Sequence, residues 1–371
     1  MVKKSISELD ITAFRGVTEL RIADLGDVNI IVGDNNSGKT SILEAIQLIA
    51  DPVEYNFFQV AGLRNKHIDA LNSDLTEAVA SIMHRSKNNG NKDEYVLDIS
   101  ATIKDGRQKT KPISNDGKRY IKAKGRYISF YSNGKDTPSI ECEISSSSGV
   151  KRTLLVSQKS LNEIRMDDLH NSGRLNEMQL IRPSEYEPDV NVGAVYAVDH
   201  VIAADYKKII NSKSQTDKAL RLLKSFNENI ISMRYLNKNG IPVPVLDTDT
   251  REAAPLSDYG DGLKKALAMM EAILKAENGV LLIDEYESAI HPSAMNSVFS
   301  FMLKACKEMN TQLFVTTHSL EALDELLGCD EAVLDNVRVI TLKKKNGKIH
   351  SRVIDGTEAK KLRSNNNAEL R

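Results

Sequence analysis

Three groups of residues have the types and spacing to act on a phosphate chain. Gly33-Asp34-Asn35-Asn36-Ser37-Gly38-Lys39-Thr40 sets two glycines around a polar loop and follows them with a lysine and a threonine. Glycines let the backbone curl so that successive amides aim at one anion, Lys39 reaches the distal phosphates, and Thr40 offers its hydroxyl to Mg2+. Asn35, Asn36, Ser37 and Ser41 complete a polar cradle around the same anion. Phosphoryl transfer also needs a carboxylate for the cation and a group that orients or deprotonates water. Asp284 and Glu285 follow the apolar run Val280 to Ile283, and are read as the Mg2+ carboxylate and the general base. His318, at the end of "LFVTT", is read as approaching the γ-phosphate and the attacking water.

Each group depends on an element that brings it to the site. The apolar "VNIIVG" before the glycine loop reads as a buried strand, and Ile42, Leu43, Ala45, Ile46 and Ile49 after it share one side of a helix ending near Asp51-Pro52. A helix N-terminus at the loop adds partial positive charge where a phosphate would sit. "GVLLID" and "QLFVTT" read as further buried strands, followed by "NVRVITL", with helical spacing between them. Asp284 would then lie beside the glycine loop if the two strands are neighbours in a parallel sheet. Upstream, "ISELDIT" and "VTELRIA" alternate as strands, and residues 95–157 read as an antiparallel meander with Asp-Gly, Asn-Gly and Ser-rich turns. Residues 203–236 lack Gly and Pro and carry Leu220, Leu222, Leu223, Phe226, Ile230 and Ile231 at helical spacing, which predicts one or two long helices. The fold class is α/β, a mostly parallel sheet with helices, an antiparallel β subdomain and a helical insertion. The segments are 1–60 and 251–371 for the two parts of the core, 61–200 for the β insertion and 201–250 for a helical arm.

Composition narrows the classes. With 50 Lys+Arg against 51 Asp+Glu, the formal charge of -1 gives no global basic field for nucleic acid. Cys142, Cys306 and Cys329 have no CxxC spacing, so they read as buried thiols in a reducing compartment and not as a disulfide frame or zinc site. No apolar run is long enough for a membrane span, and the start has no leader-like core, so a cytoplasmic protein is expected.

In order along the chain, "ITAFRGVTELRI", "GDNNSGKT", "LLIDEYESAIHPS" and "FVTTHS" resemble the motifs of the ABC-type ATPases, in the branch that includes SMC, RecF and the overcoming-lysogenization-defect (OLD) proteins. The resemblance covers about the first 50 and the last 120 residues. It implies an ABC-type P-loop ATPase with ATP and Mg2+ as ligands and a composite site completed by a second copy. "PLSDYGDG" is similar to the signature segment of the OLD-like members, which implies that Ser257, Gly260 and Gly262 cap the nucleotide of the partner copy. Arg15 matches a position near the nucleotide, Gln59 is the candidate Q-loop residue at the metal, and His291 replaces the aspartate of the common D-loop.

The same resemblance implies a homodimer or higher homo-oligomer controlling a separately encoded effector, a nuclease or toxin, in antiphage defence. The 53 residues after His318 are too few for the TOPRIM nuclease often fused to such ATPases, and Asp247-Thr248-Asp249 reads as a turn. A second reading is DNA binding in repair or chromosome maintenance, through residues 107–126, which hold eight Lys/Arg and Tyr120. A third is an ATP-clamped scaffold with little turnover, for which Glu285 would have no use.

Overall fold

The computed structural model describes residues 4–50, 60, 75–87, 93–105, 118–132, 135–147, 151–157, 190, 192–195, 213–226, 228–238, 241–249, 251–255, 269–270, 272–289, 295–328, 334–366 and 369–370. The glycine loop's strand, β3 (Val28–Gly33), lies inside a six-stranded sheet. Its other members are β9 (Val192–Val195), β13 (Val280–Ile283), β14 (Gln312–Thr317), β15 (Val337–Lys345) and β16 (Lys348–Asp355), in the order β16-β15-β3-β14-β13-β9. Every pairing but β15 with β16 is parallel. Burial on both faces explains the continuous apolar runs: Ile30 and Val32 enter one core, and Ile31 enters the other.

One helix, α1 (Lys39–Ala50), separates this sheet from a second one. The second sheet is antiparallel and seven-stranded, with the order β2-β1-β5-β6-β7-β8 and β4 added to β5. Its strands are β1 (Lys4–Phe14), β2 (Val17–Ile22), β4 (His84–Lys87), β5 (Asp93–Asp105), β6 (Lys118–Ser132), β7 (Lys135–Ser146) and β8 (Lys151–Ser157). Alternation on β6 sends Ile121 and Ala123 toward α1 and exposes Lys118, Lys122, Lys124 and Arg126. Because both of its faces meet a sheet, α1 buries ten residues, Glu44 among them.

Two buried polar side chains tie these layers together. Gln312, 1% exposed, donates through Nε2 to Ile6 O at 2.8 Å and Gly26 O at 2.7 Å, and accepts from Ile6 N at 2.8 Å. Arg119 donates to Ala50 O at 2.8 Å, satisfying a carbonyl at the C-terminus of α1. Both sheets cross the segments drawn from sequence: β1 pairs with β5, while β9 joins the central sheet beside β13. Cys142 and Cys306 are buried free thiols, and burial pushes the Cys142 thiol up to about 12. Cys329 lies outside the described residues.

The long helix expected over 203–236 is corrected within the described residues. Helix α2 (Leu75–Ile82) precedes the meander, and α3 (Lys213–Phe226) covers the middle of the stretch predicted as helical, with Leu222 and Leu223 buried. The chain then turns into β10 (Ile230–Lys238), which pairs with β11 (Ile241–Thr248), itself paired with β12 (Arg251–Pro255). Ile230 and Met233 are buried while Ile231 is 55% exposed, so the helical period ends at Phe226 and an extended one follows. Asp247 is held in this hairpin by Ser232 Oγ and by Arg234 at 3.3 Å, as suits a turn-flanking residue. The outer face of the central sheet is covered by α3, α5 (Met295–Glu308), α6 (Leu320–Leu327) and α7 (Gly356–Asn366). Among the described residues no helix is long and apolar enough to cross a membrane.

Candidate nucleotide site

The parallel strands β3, β14 and β13 present their carboxyl ends side by side, where ligands bind in open α/β sheets. The glycine loop leaves β3 and becomes α1, whose first turn carries no acidic residue. Gly38 has φ of 93°, a left-handed conformation, and a Cβ there would lie 2.7 Å from Ile349 Cδ1. A Cβ on Gly33 would meet Ser37 Oγ at 2.7 Å and Leu342 O at 2.8 Å, so both glycines are required by close approach. Asn36 also takes a positive φ, 64°, a conformation asparagine tolerates better than most residues. Asn35 stands next to it in the exposed crest of the loop.

Lys39 is 7% exposed, and its ammonium donates to Gly33 O at 2.8 Å and Asp34 O at 2.9 Å. Burial lowers its pKa, against the pull of Glu285, Asp284, Glu287 and Asp34. A phosphate would add the negative charge that this desolvated cation lacks. Ser37 Oγ is buried with no hydrogen-bond partner among the described residues, the mark of a loop shaped for an acceptor or donor from outside. Ser41 is buried in the first turn of α1. The loop therefore fits a polyphosphate on this chain's own features.

The acidic residues reach the loop across an intervening strand. The neighbour relation expected of the two strands is corrected: β14 lies between β3 and β13. Thr40 Oγ1 nevertheless donates to Asp284 Oδ2 at 2.9 Å, with Oδ1 at 3.2 Å. The link is possible because α1 crosses over β14 toward β13. Thr316, on that middle strand and fully buried, donates to Asp284 Oδ1 at 2.7 Å and accepts from Glu285 N at 2.8 Å. Glu285 has φ of 48°, a left-handed conformation costing about 1–3 kcal/mol for such a residue and typical of active sites. Tyr286 opens the short helix α4 (Tyr286–Ala289) and is buried edge-on to Phe299, with its hydroxyl on Met295 O. That anchor fixes the chain just after the acids.

His318 follows β14, and its side chain is 43% exposed. Glu287 Oε1 accepts from His318 N at 2.7 Å and Ser319 N at 3.3 Å, and lies 2.9 Å from His318 Nδ1. Thr316 and Glu287 were not singled out by the motif reading. A threonine in an apolar strand carries no signal of its own, whereas a third acid three positions after Asp284 was a usable one.

Arg15 is placed differently from a residue exposed to solvent. At φ of 50° and 8% exposure, it pairs through Nε with Glu44 at 2.6 Å and donates to Ser81 O at 3.1 Å and Val60 O at 3.3 Å. The guanidinium thus locks α1, one turn beyond Thr40, to α2. Gln59, Ser257, Gly260, Gly262 and His291 lie outside the described residues.

This arrangement agrees with what the chain is similar to. The family described as "AAA domain, putative AbiEii toxin, Type IV TA system" matches residues 28–324. The chain belongs to that family. An "ATP/GTP phosphatase" of Helicobacter pylori is 25% identical over 350 residues, covering 87% of this chain and 88% of the relative. A methionine import ATP-binding protein MetN of Staphylococcus saprophyticus is 32% identical over 102 residues, 27% of this chain and 28% of that one. Among solved structures, an Smc head bound to the C-terminal winged-helix domain of ScpA matches with a TM-score of 0.52 at 14% identity, covering 96% of this chain and 99% of that one. A second Smc head, with an extended coiled coil and derived from Pyrococcus furiosus, matches at 0.52 and 11% identity, covering 98% and 100%. The family member described here is an ABC-type ATPase with the SMC-head fold, and it binds ATP.

Proposed function

We propose that the chain is an OLD-like ATPase that closes on ATP as a head-to-tail homodimer and uses hydrolysis to control a separately encoded effector, a nuclease or toxin, in antiphage defence. The observation that carries the active-site part is the Thr40–Asp284 contact of 2.9 Å, braced by Thr316 at the ends of three adjacent parallel strands. Thr40 and Asp284 form a hard oxygen donor pair suited to Mg2+, with Gln59 as a further ligand. When bound, that ion neutralises phosphate charge and polarises the bond to be broken. Lys39 exchanges its loop carbonyls for phosphate oxygens, and the loop from Gly33 to Ser41 holds the chain of phosphates. Glu285 takes a proton from the attacking water, and His318 bonds the γ-phosphate from the β14 side. Ser257, Gly260 and Gly262 of the other copy cap the nucleotide, so closure depends on it.

The effector part is supported by the family's description, which names a putative toxin and a toxin-antitoxin system, and by the similar Smc head being bound to a domain of ScpA. DNA binding through residues 107–126 is less favoured. On the described part of that segment, Lys122 pairs with Asp98 at 3.1 Å and Arg126 with Glu141 at 2.5 Å, so its cations are partly neutralised across strands. The test is to purify the chain together with the products of its neighbouring genes, with and without ATP, and to measure mass by light scattering. ATP-dependent dimerisation with a nuclease or toxin from an adjacent gene bound supports the reading. A monomer hydrolysing ATP at full rate, or salt-sensitive DNA binding with no protein partner, overturns it.

A further inference from the structure

The geometry points to Glu287 as a positioning residue that sets the tautomer and direction of the His318 ring. This rests on His318 facing the γ-phosphate. One oxygen of Glu287, Oε1, lies against three nitrogens of the segment that leaves β14: His318 N at 2.7 Å, Ser319 N at 3.3 Å and His318 Nδ1 at 2.9 Å. The two backbone N–H groups fix where the carboxylate sits, and the carboxylate in turn fixes the ring. His318 Nδ1 lies at ion-pair distance from Oε1 but outside hydrogen-bond geometry, and two lone pairs facing each other at that separation repel, so the proton belongs on Nδ1. In the neutral ring, Nε2 is then left as an acceptor facing away from Glu287. A histidine whose one nitrogen is held by a carboxylate keeps the other in a defined role, as in hydrolases that pair the two groups.

A further observation argues against a purely structural bond. The side chain of Glu287 is 10% exposed, and its second oxygen, Oε2, is buried with no hydrogen-bond partner among the described residues. Leaving a buried polar atom unsatisfied is costly, and more so when it is charged. A glutamate serving only to cap the start of α6 does not need that burden, since Ser319 already caps it by accepting from Ala322 N at 3.1 Å. Glu287 also belongs to the carboxylates whose charge acts on Lys39, which sets it in the field of the nucleotide site. It therefore stands between the acidic strand end and the switch histidine, in contact with one and within electrostatic reach of the loop.

The test combines a double-mutant cycle with a spectroscopic readout. In nucleotide-free protein labelled with 15N-histidine at about pH 8, the His318 ring should be the Nδ1–H tautomer, assigned by comparison with His318→Ala. Glu287→Ala should convert it to the Nε2–H form that free imidazole favours, and Glu287→Gln, which keeps an acceptor oxygen, should hold it. In ATP hydrolysis, Glu287→Ala should lower kcat by about 10- to 100-fold with KM changed less than about twofold. The double variant with His318→Ala should be no slower than His318→Ala alone. Additive losses, or the same tautomer in wild type and Glu287→Ala, would overturn the proposal. His318→Ala at the wild-type rate would instead remove His318 from the reaction, while the tautomer measurement would still decide whether Glu287 holds the ring. If Glu287→Ala does not fold, Glu287→Gln against Glu287→Asp gives the same comparison, with Gln expected to keep the tautomer and Asp, one methylene short, to lose it.

Discussion

The two sides of the nucleotide site are made of different material. On the β3 side the contacts are those of backbone: Lys39 rests on two carbonyls, a Cβ on Gly33 would stand 2.8 Å from Leu342 O, and Gly38 is set by its left-handed φ of 93°. On the β13 and β14 side they are contacts between side chains, hydrogen bonds from Thr40 and Thr316 to Asp284 and a charge contact of His318 with Glu287. A backbone cradle tolerates almost any side chain except where chain geometry demands glycine, so it grips the ligand before and after reaction alike. A side-chain network can be tuned atom by atom and can change its bonds as charge moves. Loss on the first side should therefore appear as affinity, and loss on the second as turnover.

Glu285→Gln tests that division most severely, with turnover expected to fall by about 10²- to 10⁴-fold while ATP affinity is kept. Single-turnover assay and equilibrium binding on one preparation would check it, and a parallel loss of affinity would erase the distinction. Lys39→Ala belongs to the opposite side and should weaken ATP binding by about 100-fold, as expected for removing the cation of a buried charge pair. Calorimetric titration reads this directly. Gly38→Ala should cost about 1–3 kcal/mol, from the left-handed backbone and the clash with Ile349 Cδ1, spread between affinity and thermal stability. Thr316→Val is the mildest and sharpest comparison, since it keeps shape but removes a donor to Asp284 and an acceptor for Glu285 N. Turnover should drop about tenfold with nucleotide affinity nearly unchanged, at a stability cost of about 1–2 kcal/mol.

The same contrast explains what was legible in the sequence. Gly33, Gly38, Lys39 and Thr40 announce themselves because backbone geometry restricts residue type at fixed spacing, and Asp284 and Glu285 because they end an apolar run. The strands β3, β13 and β14 were visible as continuous apolar runs, and the meander through alternation of burial. Thr316 was silent, since a buried threonine in "LFVTT" looks like β propensity until its hydroxyl is seen between two acids. The order of β3, β14 and β13 was also hidden, because strand adjacency is a tertiary property that no local pattern encodes. Ile230 and Ile231 were misread as helical because two adjacent isoleucines fit either period, and burial of Ile230 alone separates them. Arg15 shows a different limit: its motif suggests the nucleotide, while its donors are engaged by Glu44, Ser81 and Val60.

Gln312 stands at the start of the strand whose far end carries Thr316, Thr317 and His318. Hydrogen-bonded to β3 on one flank and β13 on the other, that strand spans roughly 16 Å at 3.3 Å per residue and cannot slide without breaking both ladders. Its start is tied to Ile6 and Gly26 through one amide, so the strand that carries the reacting end is fixed to the first strand of the opposite sheet. A single buried glutamine thus pins the reacting strand to the opposite sheet.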